Sequence, residues 1–124
     1  MTSILVDTNC LIRLLEGDEV VLALLDGNRV FISVITYLEM QCKPHINAAE
    51  RTRIKGMLDE CHILELTPAI QRRSIAVRLT TRMKLMDAIV GAAAAEMRLP
   101  IVSSDDVFTR IRETQVIVLP PRKE

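Results

Sequence analysis

Short apolar runs alternate along this chain with longer stretches whose apolar residues recur at three- and four-residue spacing. Residues 3–7 form the first run, Ile4-Leu5-Val6 between Ser3 and Asp7, and read as a buried strand. Cys10, Leu11, Leu14 and Leu15 then fall at helical spacing across Asn9–Leu15, and Gly17-Asp18 separates this helix from a second over Glu19–Asp26. Gly27-Asn28 turns the chain into a strand at Val30–Ser33, followed by a helix from Val34 to Cys42 that Lys43-Pro44 ends. Asn47 is placed to cap a helix over Ala48–Cys61. A strand at His62–Leu66 leads to Thr67-Pro68, a cap and first-turn pair opening a helix through Met83. A further helix, Met86–Arg98, precedes a strand at Ile101–Ser103, a short helix at Val107–Arg112 and a last strand at Val116–Leu119. Pro120-Pro121 closes the pattern before a charged tail.

Strands alternating with helices predict an α/β fold, with about five strands in a mostly parallel sheet covered on both faces. A chain of 124 residues suits one domain over 1–124, and no repeat or linker divides it. Hydrophobic residues make up 49% and charged ones 26%, which excludes a disordered chain. Aromatics are only 2%, which argues against a binder that stacks bases on Tyr or Phe. Net charge is zero, so any nucleic-acid surface has to be a local patch. Cys10, Cys42 and Cys61 lie in apolar contexts without Cys-x-x-Cys spacing and are expected as buried, reduced thiols. With no leader and no apolar run near the ~20 residues of a membrane span, the chain reads as cytoplasmic.

The candidate chemistry lies in four acids. Asp7 and Asp105 each follow a predicted strand, on the carboxyl edge where open α/β sheets bind ligands. Glu39 and Asp87 sit in apolar helical segments, where a charge is costly without a partner. Asp7, Asp105 and Asp87 each have a structural alternative as helix caps or first-turn anions, with Asp106 able to cap in place of Asp105. Within its predicted helix Glu39 has no Lys or Arg three or four residues away, Lys43 falling in the break that follows, and it could otherwise be a surface residue. Taken together the four predict a cluster that a divalent cation would relieve. An all-oxygen set fits Mg²⁺ or Mn²⁺ rather than Zn²⁺, since His45 and His62 are poorly placed as ligands.

The blocks Val6-Asp7-Thr8-Asn9-Cys10-Leu11-Ile12, Val34-Ile35-Thr36-Tyr37-Leu38-Glu39, Lys84-Leu85-Met86-Asp87-Ala88-Ile89-Val90 and Ile101-Val102-Ser103-Ser104-Asp105 resemble, in order and spacing, the four signature blocks of PIN domains. The single-domain length is similar to VapC-type toxins of bacterial toxin–antitoxin pairs. The resemblance implies a PIN-like domain and a Mg²⁺- or Mn²⁺-dependent endoribonuclease with Asp7, Glu39, Asp87 and Asp105 as catalytic and metal-ligating acids. It also implies a cognate antitoxin and a homodimer. Asn9 and Ser103 match positions of polar supporting groups, and Thr8 could hydrogen-bond a ligating carboxylate as well. The last block departs from the family pattern: Phe108 follows Val107 rather than an acid, which leaves the fourth ligand to Asp105 or Asp106.

RNA must also be held. Residues 67–86 carry Arg72, Arg73, Arg78, Arg82 and Lys84 with no acid, either as a solvated face or as a phosphate-contacting rim that leads into Asp87. Helical spacing places Arg78 and Arg82 on one face, and these two with Lys84 are the first candidates for RNA contact. The competing functions are a PIN-domain RNA-processing nuclease without an antitoxin, and a non-catalytic PIN-like scaffold for RNA or protein.

Overall fold

The computed structural model describes residues 2–121; the charged tail expected after Pro121 lies outside the described residues. Strands β1 (Ser3–Val6), β2 (Arg29–Ser33), β3 (His62–Leu64), β4 (Ile101–Ser103) and β5 (Val116–Val118) form one sheet in the order β3-β2-β1-β4-β5. Every pairing is parallel. Helices α1 (Thr8–Leu15), α2 (Glu19–Leu25), α3 (Val34–Gln41), α4 (Ala48–Asp59), α5 (Pro68–Thr81) and α6 (Leu85–Met97) cover it, and a 3₁₀ turn spans Asp106–Arg110. The α/β class, the strand count and the element order match the sequence reading.

Alternation along the strands divides the interior into two layers. Leu5 and Ile101 face a cluster with α5, α6, Phe108 and Ile111, whereas Ile4, Val6 and Val102 face Cys10, Leu11, Val21, Ile54 and Leu58 of α1, α2 and α4. Ala88–Ala95 of α6 are all buried, their small side chains letting the helix approach its neighbours closely. At Gly91 an added Cβ would collide with Ile111 Cδ1. The expected caps form: Asn47 Oδ1 accepts from Glu50 N at 2.8 Å, and Thr67 Oγ1 accepts from Ile70 N at 3.2 Å.

The sheet order fixes the functional edge. The chain runs from β1 outward through β2 to β3, then returns to the other side of β1 with β4. The topological switch point therefore lies between the carboxyl ends of β1 and β4. The register Val6↔Val102 sets Asp7 and Ser103 side by side there.

Three expectations need correction. Cys42 is exposed, as the cap that ends α3, and Cys61 is only partly buried, packed at the margin of a core layer just after α4. Burial pushes the Cys10 thiol up to about 12 and the Cys61 thiol up to about 11. Arg82 does not continue the face of Arg78: α5 stops at Thr81, and Arg82 takes a left-handed backbone, φ 60°, as the cap.

Candidate active site

Asp7 stands directly after β1 as the cap of α1, 7% exposed. Its Oδ1 accepts from Cys10 N at 2.9 Å, and its Oδ2 accepts from the hydroxyl of Ser103 at 2.6 Å. Ser103 is fully buried, and its Oγ also accepts from Asp105 N at 2.9 Å. One side chain thus ties the acid after β1 to the backbone of the acid after β4. Asp105 itself caps the 3₁₀ turn, its Oδ1 accepting from Val107 N at 2.9 Å, so Asp106 does not take that role.

Glu39 is exposed rather than buried. Ile35 and Met40 turn α3 toward the two core layers, which leaves Leu38 and Glu39 on the open side. Its Oε1 accepts from the hydroxyl of Thr8 at 2.9 Å, joining the first turn of α1 to α3. Asp87, half-buried, lies in the first turn of α6.

The electrostatics place these groups in one field. Burial is the main cause that raises the Asp7 carboxyl above its ordinary range; the hydrogen bonds from Ser103 and Cys10 oppose it, and the charges of Asp105 and Asp87 add to it. Burial also raises Asp87, reinforced by Asp105 and Glu39 and opposed by Lys84. Each of the four expected acids therefore acts on another. Among the described residues, however, no three His, Cys, Asp or Glu side chains are arranged to grip one metal ion directly.

The chain belongs to the PIN domain family. The family model matches residues 4–114, which includes the four blocks and both sides of the switch point. Solved structures share the fold. A toxin–antitoxin complex from Klebsiella pneumoniae is 29% identical, with a TM-score of 0.79 over 93% of this chain and 96% of that one. VapBC2 from Rickettsia felis, bound to a DNA fragment from its promoter, is 14% identical with a TM-score of 0.86 over 96% and 100%. VapBC from Salmonella typhimurium is 18% identical with a TM-score of 0.78 over 95% and 98%. No curated protein matches the sequence.

Within this PIN domain the supporting residues divide. Thr8 and Ser103 hydrogen-bond acids of the site, whereas Asn9 is exposed and lines an open groove of about 1560 Å³ beside it. That groove shares Asp105 with the cluster, but Asp7, Glu39 and Asp87 do not line it. Its floor holds a pair that the sequence reading passed over, Arg13 and Asp18, 2.8 Å apart and both nearly buried. The signal was available: Arg13 interrupts the apolar stripe of α1, and Asp18 follows the Gly17 turn five residues later.

Of the cations, Lys84 is near enough to Asp87 to lower its carboxyl. Arg78 and Arg82 are exposed, while Arg73 is engaged by Glu96 at 2.7 Å. No helix among the described residues is long and apolar enough to cross a membrane.

Proposed function

We propose that this PIN domain is a Mg²⁺- or Mn²⁺-dependent endoribonuclease and the toxin of a toxin–antitoxin pair, with a cognate antitoxin and a second copy of itself as partners. One observation carries the catalytic part. A nearly buried carboxylate, Asp7, is held at the switch point among the charges of Asp87 and Asp105, where ionisation is disfavoured unless a cation compensates. A scaffold would gain nothing from such repulsion.

The donor set fits a hydrated divalent ion. Mg²⁺ keeps several waters and uses one or two carboxylates, so a site without three converging acids suits it. Asp7 and Asp87 would hold the ion, with Glu39 and Asp105 completing its surroundings. When bound, such an ion activates water and neutralises charge on the phosphodiester.

The chain's own residues do the rest. Ser103 and the Cys10 amide fix both oxygens of Asp7, leaving each oxygen's second lone pair available. Thr8 orients Glu39 toward α1. Lys84 stands beside Asp87 to meet an RNA phosphate, with Arg78 and Arg82 as more distant contacts of the same acid-free run. The shared fold with toxin–antitoxin complexes supports the toxin role and the antitoxin partner. The homodimer is part of the same proposal; Ile75 and Leu79, 60% and 76% exposed on α5, offer aliphatic surface for a protein contact.

Cleavage of a mixed RNA pool with Mg²⁺ or Mn²⁺, compared between the native chain and Asp7→Asn, tests the activity. Loss of cleavage with a retained fold is expected. An undiminished rate in the variant would overturn the metal-site reading.

A further inference from the structure

Hydroxyls inside helices usually return to a carbonyl one turn back. In this protein Thr52 donates to Ala48 O, Ser74 to Ile70 O, Thr80 to Ala76 O and Thr81 to Val77 O. Thr36 differs. It is fully buried in α3, and its Oγ1 has no hydrogen-bond partner among the described residues. The reason is positional: Thr36 is the third residue after the cap Ser33, so the residue four back is Ile32, still in β2.

Its place in the fold adjoins the site. The register Leu5↔Phe31, continued by two residues, sets Asp7 level with Ser33, at the start of α3. Thr36 lies one turn before Glu39 on the same side of the helix, the side that Glu39 uses to meet Thr8. A buried donor without an acceptor is a standing penalty, and selection for packing alone would favour Val there. The groups of the adjoining site with acceptor capacity to spare are its carboxylates.

Resting on the proposed function above, we infer that Thr36 is a positioning residue of the site, its hydroxyl reserved for a carboxylate of the cluster when the divalent cation is held. The hydroxyl would fix that carboxylate's orientation as Ser103 fixes Asp7, and it touches neither RNA nor the reacting water. Groups in this supporting position typically change metal affinity or activity by about 10- to 100-fold.

The test uses Thr36→Val, which keeps the shape and removes the hydroxyl, and Thr36→Ser, which keeps the hydroxyl. Mn²⁺ affinity is read from the rise in thermal midpoint with ion concentration, and cleavage kinetics are read separately. The valine variant is expected to melt no lower than the native chain without ion. It should bind Mn²⁺ at least about 10-fold more weakly and lose kcat more than it gains in KM, and serine should restore both. Thr36→Ala replaces the valine variant if that one does not fold. A native Mn²⁺ response in the valine variant overturns the inference, as does an equal loss of midpoint with and without ion, which marks a packing role. If the native chain responds to Mn²⁺ and the Thr36 variants respond equally, this inference alone fails. If the native chain shows no response, the metal-site reading fails and takes this inference with it.

Discussion

Replacing Ser103 with Ala removes one oxygen from the centre of the domain and breaks two hydrogen bonds. The first, to Asp7 Oδ2 at 2.6 Å, is charge-assisted and fully buried, a class worth about 1.5–3 kcal/mol. The second leaves the part-buried Asp105 amide without its 2.9 Å acceptor, which adds about 1 kcal/mol. The lost volume is small, so the cavity contribution is minor. The expected loss is about 2–4 kcal/mol near pH 7, a fall in thermal midpoint on the order of 10 °C for a chain of this size. Urea unfolding at a series of pH values measures it. The hydrogen bond favours ionised Asp7, so its removal matters less once Asp7 is protonated in the native state, and the deficit should shrink as pH falls. A deficit below about 0.5 kcal/mol at pH 7, or one that grows on acidification, would refute this account of Ser103.

Other expectations follow from the same geometry. Asp7 and Asp87 are raised above 3.8 by burial, so the folded chain binds more protons than the unfolded one just above that pH; their contribution to ion-free stability falls as pH climbs through the raised native values, and the stability of Asp7→Asn relative to the native chain should rise over that window in urea titrations. The two helical glycines should respond with opposite signs in thermal melts. Gly56→Ala meets no atom within 4 Å and should stabilise by about 0.5–1 kcal/mol. Gly91→Ala drives its Cβ into the buried Ile111, where overpacking of about 1–3 kcal/mol outweighs that gain. Neutralising Arg78 and Lys84 should flatten the salt dependence of RNA binding by about 0.7 in log–log slope per lost contact, with little change in stability; an unaltered slope would return these residues to a solvated face.

The elements were legible because each strand end carries its own punctuation: Asp7 after β1, Ser33 before α3, Thr67-Pro68 before α5. The four acids were legible because three of them occupy helix starts on one sheet edge. What escaped the sequence depends on which groups meet across long separations. Nothing local says that Ser103 serves two acids at once, or that the side of α3 bearing Glu39 is open to solvent. The end of α5 at Thr81 was missed because Arg82 takes a left-handed backbone that its residue type does not advertise. The exposure of Cys42 was missed because an apolar neighbourhood in sequence is not a buried one in space.

The Ser103–Asp7 hydrogen bond joins residues 96 positions apart, and this has a bearing on synthesis. β1 is made long before its neighbour β4, so this pairing at the centre of the sheet closes only after residues 101–103 have been added. Until then Asp7 lacks both the strand that buries it and the hydroxyl that orients it, while Asp105 has not yet been added. Non-local parallel pairing is also slow compared with helix formation. A chain that stops before residue 103 therefore lacks the assembled acid cluster however much helix it has formed, and β4 completes the site that β1 begins.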